Sequence, residues 1–151
     1  MTSKVSKYYE VKIQYQKMQE DRKEKKVTEQ YIVEALSFTE AESLITEEMS
    51  AYIHDSFDVV AEKIAPYYEI LISDRIEDDK WFLSKISFVT LDEKTAKEKK
   101  TSQRLLVQAD TSQTALEYTK KLFDSSMTDF SIDAVKDTPT LEVFFREDNK
   151  D

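Results

Sequence analysis

The stretch KEKKVTEQYIVEA, which begins at Lys23, is written again with small changes as KEKKTSQRLLVQA, beginning at Lys97. The correspondence runs well past that phrase. Tyr9, Lys12, Ile13 and Tyr15 match Phe82, Lys85, Ile86 and Phe88, while Val33, Ala35 and Ala41 match Val107, Ala109 and Ala115. Phe57, Val59, Ala61, Lys63 and Pro66 match Phe130, Ile132, Ala134, Lys136 and Pro139, and Glu69 matches Glu142. The register slips by one residue and recovers it later, as it would if the second copy has a longer hairpin loop and a shorter later loop. Chance similarity does not keep pace through so many segments. The chain is an internal duplication, and the two halves must repeat one unit.

Within each copy the apolar spacing alternates between a period of two and a helical period. Tyr9, Val11, Ile13 and Tyr15 predict a strand near 8–17, and Phe82, Ile86 and Phe88 its partner near 81–91. After a charged loop, Tyr31, Val33 and Ala35 predict an inward face near 26–36, matched by Leu105, Val107 and Ala109 near 100–109. SFTEAESLITEEM follows, where Ser37 and Glu40 have capping-box spacing and Ala41, Ile45, Met49 and Tyr52 form an apolar stripe. The second helix, SQTALEYTKKLF, places Asp110 and Gln113 at the same spacing and buries Ala115, Leu122 and Phe123. Each copy then adds a strand, a proline and a last strand, YYEILI or TLEVFF. The expected fold is therefore α+β: a ββαββ unit used twice, as two antiparallel sheets each with one helix, related by a pseudo-twofold axis. The first repeat spans 1–73, a polar junction 74–80, the second repeat 81–146 and a frayed tail 147–151. A half of this size buries too little surface to stand comfortably alone, so one compact domain overall is expected, with the apolar faces of the copies packed together.

Several function classes drop out on composition. Glycine is absent, although average usage would put about ten in a chain of 151 residues. Phosphate-cradling loops, the dinucleotide fingerprint and the nucleophile elbow all need glycine where backbone meets ligand. Tight two-residue hairpins are likewise unexpected, and longer loops of ordinary residues should replace them. There is no cysteine and one histidine, His54, which removes thiolate and two-histidine metal sites and cysteine nucleophiles. No cofactor or metal is expected. Net charge is −9, from 31 acidic and 22 basic residues, which disfavours nucleic acid and suits a basic protein partner. No signal-like or membrane-spanning apolar run is present, so the cytoplasm is the expected compartment.

Two constellations could carry binding. Tyr8 and Lys12 share one strand face, and Trp81 and Lys85 repeat the arrangement. An aromatic plane beside an ammonium can stack a base while pairing a phosphate, and Arg104 is placed to join from the neighbouring strand. The other constellation is the pair of lysine-rich hairpin tips, with Lys25, Lys26, Lys99 and Lys100 as anion contacts. Interspersed acids make these tips only weakly positive, which equally fits solvated turns. Asp74, Glu77, Asp78 and Asp79 lack the spacing of a calcium loop and read as a solvated linker.

VEALSFTEAE (33–42), VTLDEKTAKEKKTS (89–102) and LLVQA (105–109), together with the paired KEKK phrases, resemble an uncharacterised family of small duplicated proteins from Bacteroidota-type bacteria and their phages. That resemblance implies a phage or host accessory role and brings no catalytic residues. The expected function is thus a non-catalytic binding protein that sequesters or senses a phosphate-bearing small ligand such as a nucleotide. Tyr8, Lys12, Trp81, Lys85 and Arg104 would form the site, between halves or across a homodimer. The alternative is an acidic interaction or inhibitor module for a basic protein. Single-stranded nucleic-acid binding ranks third.

Overall fold

The structure, a computed structural model, describes residues 1–146; the tail expected at 147–151 lies outside the described residues. Among the described residues nine strands and two helices occur in the order β1 (Thr2–Val5), β2 (Tyr8–Met18), β3 (Glu24–Glu34), α1 (Phe38–Ser50), β4 (Asp58–Ile64), β5 (Glu69–Ile72), β6 (Lys80–Leu91), β7 (Glu98–Ala109), α2 (Ser112–Phe123), β8 (Asp129–Asp137) and β9 (Thr140–Phe144). They form an α+β fold of two sheets, each carrying one helix. The sheet orders are β1-β5-β7-β6-β8 and β4-β2-β3-β9. Strand for strand, β8-β6-β7-β5 repeats β4-β2-β3-β9, as duplication demands.

The compact units do not follow the sequence repeats. One unit comprises Met1–Ser6 and Tyr67–Thr138, the other Lys7–Pro66 and the described residues from Pro139 onward. Each repeat gives its last strand to the sheet of the other. For β9 the length of the link explains this. Had β9 joined its own sheet where β5 lies, the chain would cross three strand spacings from β8, about 14 Å. Only Thr138 and Pro139 separate β8 from β9, and three Cα steps at full stretch span about 11 Å. In both sheets the exchanged strand runs parallel to its neighbour, β9 to β3 and β5 to β7, while the other ladders are antiparallel.

In the unit that contains α1, Tyr9, Val11, Ile13, Tyr31, Val33 and Ala35 bury against Ala41, Ile45 and Met49 of the helix. The predicted stripe is confirmed up to Met49. Tyr52 lies beyond the helix end and is 72% exposed, a departure from expectation. Ser37 caps α1, its Oγ accepting the Glu40 amide at 3.1 Å. In the unit that contains α2, Leu71, Phe82, Ile86, Leu105, Val107, Ala109 and Ala115 form the core, with Leu122 and Phe123 half-buried. The cap here is Thr111 rather than Asp110, its Oγ1 accepting the Thr114 amide at 3.2 Å. Asp110 stands one residue earlier; a hydrogen bond from the Thr114 side chain holds its carboxyl below the usual range, and it pairs with Arg75 at 3.8 Å.

The hairpin loops span residues 19–23 and 92–97, the second one residue longer, as the repeat offset requires. Without glycine, Arg22 (φ 65°) and its counterpart Ala96 (φ 54°) take the left-handed conformation. The side chains of Asp21 and Asp92 steady these turns by accepting the amides of Lys23 and Lys94 at 3.0 and 2.9 Å.

Candidate functional site

Lys25 and Lys26 lie in β3, paired with Lys17 and Gln16; Lys99 and Lys100 lie in β7, paired with Thr90 and Val89. All four are exposed, but they flank the turns instead of forming them. Successive strand residues point to opposite faces, so each KK pair is split across the sheet. That corrects the expectation of a basic tip: geometry disperses the charge.

Tyr8 and Lys12 do share a face of β2, and Trp81 and Lys85 a face of β6, opposite the helix in each case. Yet Tyr8 is 1% exposed and Trp81 4%, so neither ring offers an open plane to a base. Lys12 is exposed and lines a shallow recess of 250 Å³ with Thr28, Gln30 and Pro139. Lys85 stands directly across from Arg104 in the β6–β7 ladder, which brings those two predicted residues together. Ser87 and Ser131 donate hydrogen bonds to Asp133, and with Lys100 and Lys85 nearby they hold its carboxyl below the usual range. Part of that basic charge is therefore already answered.

The junction expected to be a solvated linker is an ordered loop. The Asp78 side chain is buried and accepts hydrogen bonds from the Ser73 hydroxyl and, at 2.7 Å, from the Tyr118 hydroxyl. Arg75 donates to the Tyr118 hydroxyl at 2.8 Å and pairs with Asp78, Glu77 and Asp110. Asp74 binds the N-terminal ammonium at 3.3 Å. Among the described residues no group of acids or histidine could hold a metal ion. His54 lines an open, largely polar hollow of 670 Å³ with Glu42, Asp55 and Asp58.

The most distinctive cavity is one that the sequence reading did not single out. A cleft of 530 Å³ opens beside the C-terminal end of α1, lined by Tyr15, Glu29, Tyr31, Met49, Tyr52, Ile53 and residues 141–144 of β9. β2, β3 and β9 aim Tyr15, Tyr31 and Phe144 to the helix side because those positions share the inward parity of the sheet. Tyr31 and Phe144 stack with centroids 5.6 Å apart. The Tyr31 hydroxyl donates to Glu29 at 3.2 Å. Burial first, and then the Glu29 charge, push both the Tyr31 and the Tyr15 phenols up, so both stay neutral well above physiological pH.

Glu29 and Glu142 are the charged groups of the lining, with no base among it. The last turn of α1 also has no base, so its negative dipole end faces this region uncompensated, whereas the last turn of α2 carries Lys120 and Lys121. Aromatic faces, two carboxylates and a bare helix C-terminus all favour a cation.

The other repeat provides an internal control. Glu29, Tyr31 and Met49 correspond to Gln103, Leu105 and Phe123. Phe123 packs edge-on against Phe88 at 5.4 Å and against Phe130 at 5.7 Å, filling the space that Met49 leaves. The fold therefore does not require the cleft. Divergence between copies in both size and charge was the available signal; in a single chain it looks like drift.

Among the described residues no helix is long and apolar enough to cross a membrane. No curated protein and no solved structure matches the chain. A family model does match, over residues 7–147, and the chain belongs to that family, described as "Domain of unknown function (DUF4494)".

Proposed function

We propose that this protein is a non-catalytic binding module whose ligand group is a cation presented by a basic protein partner. The observation that carries this reading is the aromatic–carboxylate cleft of Tyr15, Glu29, Tyr31, Glu142 and Phe144. A lysine or arginine side chain would bury its stem against the rings and its charge against two carboxylates. The net charge of −9 steers a basic partner toward the surface. Inhibition or adaptation of that partner, in a phage or host accessory role, is the function this reading gives the chain. An NMR titration with N-acetyl-lysine methylamide and N-acetyl-arginine methylamide tests it. Shifts confined to the cleft, and lost in Glu29→Gln with Glu142→Gln, are expected. No response at the Tyr15 and Tyr31 resonances would refute the reading.

A second reading, sequestration of a phosphate-bearing small ligand such as a nucleotide, is favoured by the Lys85–Arg104 cross-strand pair. It uses Lys85 and Arg104 without stacking on Trp81. A nucleotide thermal-shift panel decides it: a ligand at a hundredfold excess over Kd adds about 2.7 kcal/mol. A shift abolished by Lys85→Ala with Arg104→Ala supports this reading, and a flat panel removes it.

A further inference from the structure

Among the described residues the two sheets differ by one strand. In the α2 unit, β1 lies antiparallel on the outer edge of β5, with Val5 opposite Glu69, Lys4 opposite Ile70 and Ser3 opposite Leu71. Glu69, Ile70 and Leu71 correspond in the repeat to Glu142, Val143 and Phe144. The register agrees, because β5 sets those residues against Leu105, Leu106 and Val107 as β9 sets its own against Tyr31, Ile32 and Val33. β9 is the outermost strand of its sheet among the described residues, with Leu141 51% exposed and Glu142 exposed beside it. The Val143 amide donates to the side chain of its own neighbour, Glu142, at 3.1 Å. An edge of this kind is a template for another strand.

The geometry points to strand addition at β9. An extended segment of a basic protein partner would pair antiparallel along residues 141–144, as β1 does on β5, with a lysine or arginine opposite Glu142. This rests on the cation reading above and specifies how the partner is held. Side chains opposite Glu142 and Phe144 fall on the α1 side of the sheet, where the cleft begins, while the one opposite Val143 falls on the other face. A base opposite Glu142 therefore makes a cross-strand ion pair and then enters the ring-lined space toward Glu29. Backbone bonds along the edge supply affinity without regard to sequence, and the cleft selects the side chain. The occupant is an intrinsically extended segment, since one already helical would have to unfold to engage the edge.

The probe is the peptide Ac-Thr-Val-Lys-Val-Thr-NH2, added to the full-length chain and followed by NMR and amide exchange. Three companion peptides share its sequence. One carries norleucine for lysine, and the other two carry N-methyl groups on one or the other alternating set of amides. We expect the parent to slow exchange of the Val143 amide, which faces the open edge, and the norleucine peptide to bind at least tenfold more weakly. Only one of the two N-methyl peptides should lose tenfold or more, because only one amide set faces the edge. Equal binding by both N-methyl peptides would overturn strand addition and leave the cation site standing. Absence of parent binding while N-acetyl-lysine methylamide still occupies the cleft overturns strand addition alone. Absence of binding by either probe overturns both readings. Self-association through β9 that the parent peptide fails to compete away, seen by sedimentation, assigns the edge to a second copy and overturns the partner proposed here.

Discussion

The α2 unit holds a buried polar pair whose energetics follow from proton direction. The Thr119 hydroxyl donates to the Ala115 carbonyl at 2.8 Å and lies 2.9 Å from the Ser84 hydroxyl; both residues are 0% exposed. Thr119 has one proton and spends it on Ala115, so Ser84 is the donor between the two hydroxyls. Truncating each partner is therefore not equivalent. Ser84→Ala leaves Thr119 still donating, and should cost about 0.5–1.5 kcal/mol, the net worth of one hydrogen bond. Thr119→Val keeps the shape but strands the Ser84 proton in the core, and should cost about 1–3 kcal/mol. The double variant removes both polar groups together and should cost less than the sum of the singles. The first repeat supports this, since it holds Val11 and Ile45 at the matching positions, both fully buried. Urea unfolding followed by the fluorescence of Trp81, the lone tryptophan and a member of the same unit, reads the cycle. A Thr119→Val variant no less stable than Ser84→Ala, or a double variant that is simply additive, would refute the proton assignment.

Met49→Phe, which copies Phe123 into the α1 unit, should abolish binding of N-acetyl-lysine methylamide with a stability change of less than about 1.5 kcal/mol by urea unfolding. Ala96→Gly should stabilise the protein by about 0.5–1 kcal/mol, because relief of the left-handed strain outweighs the entropy that glycine adds to the unfolded chain. The Tyr31 pKa is raised in the folded state above the ordinary value near 10, so its contribution to stability is complete below that pH. It is then lost as pH rises toward the folded pKa. An NMR pH titration should show Tyr31 ionising later than a free tyrosine and earlier in Glu29→Gln than in the wild type.

How much was legible beforehand depended on how local the cause is. The alternation of Tyr9 to Tyr15 and the Ser37–Glu40 cap act within one element, and the repeat doubles the evidence for the alternation. The cleft was harder to see. Its rings read as core residues on an inward strand face, and only the tertiary placement of β9 against β3 turns Glu29, Glu142 and Phe144 into a common lining. Tyr8 and Trp81 failed in the opposite sense: period two puts them on a face away from the helix, but period alone does not say that this face is buried.

The duplication, the α+β class and the Ser37 cap of α1 belong to the sequence by itself, because short-range periodicity and capping geometry are determined over a few residues. The tertiary structure alone decided which sheet receives β5 and β9, since their apolar pattern suits either; for β9 the reach of the preceding link excludes its own sheet. It also decided that β1, a polar segment without a strand signature, covers β5 while β9 keeps an outer edge. Strand partners lie far apart in the chain, and their choice depends on distances that no local pattern encodes.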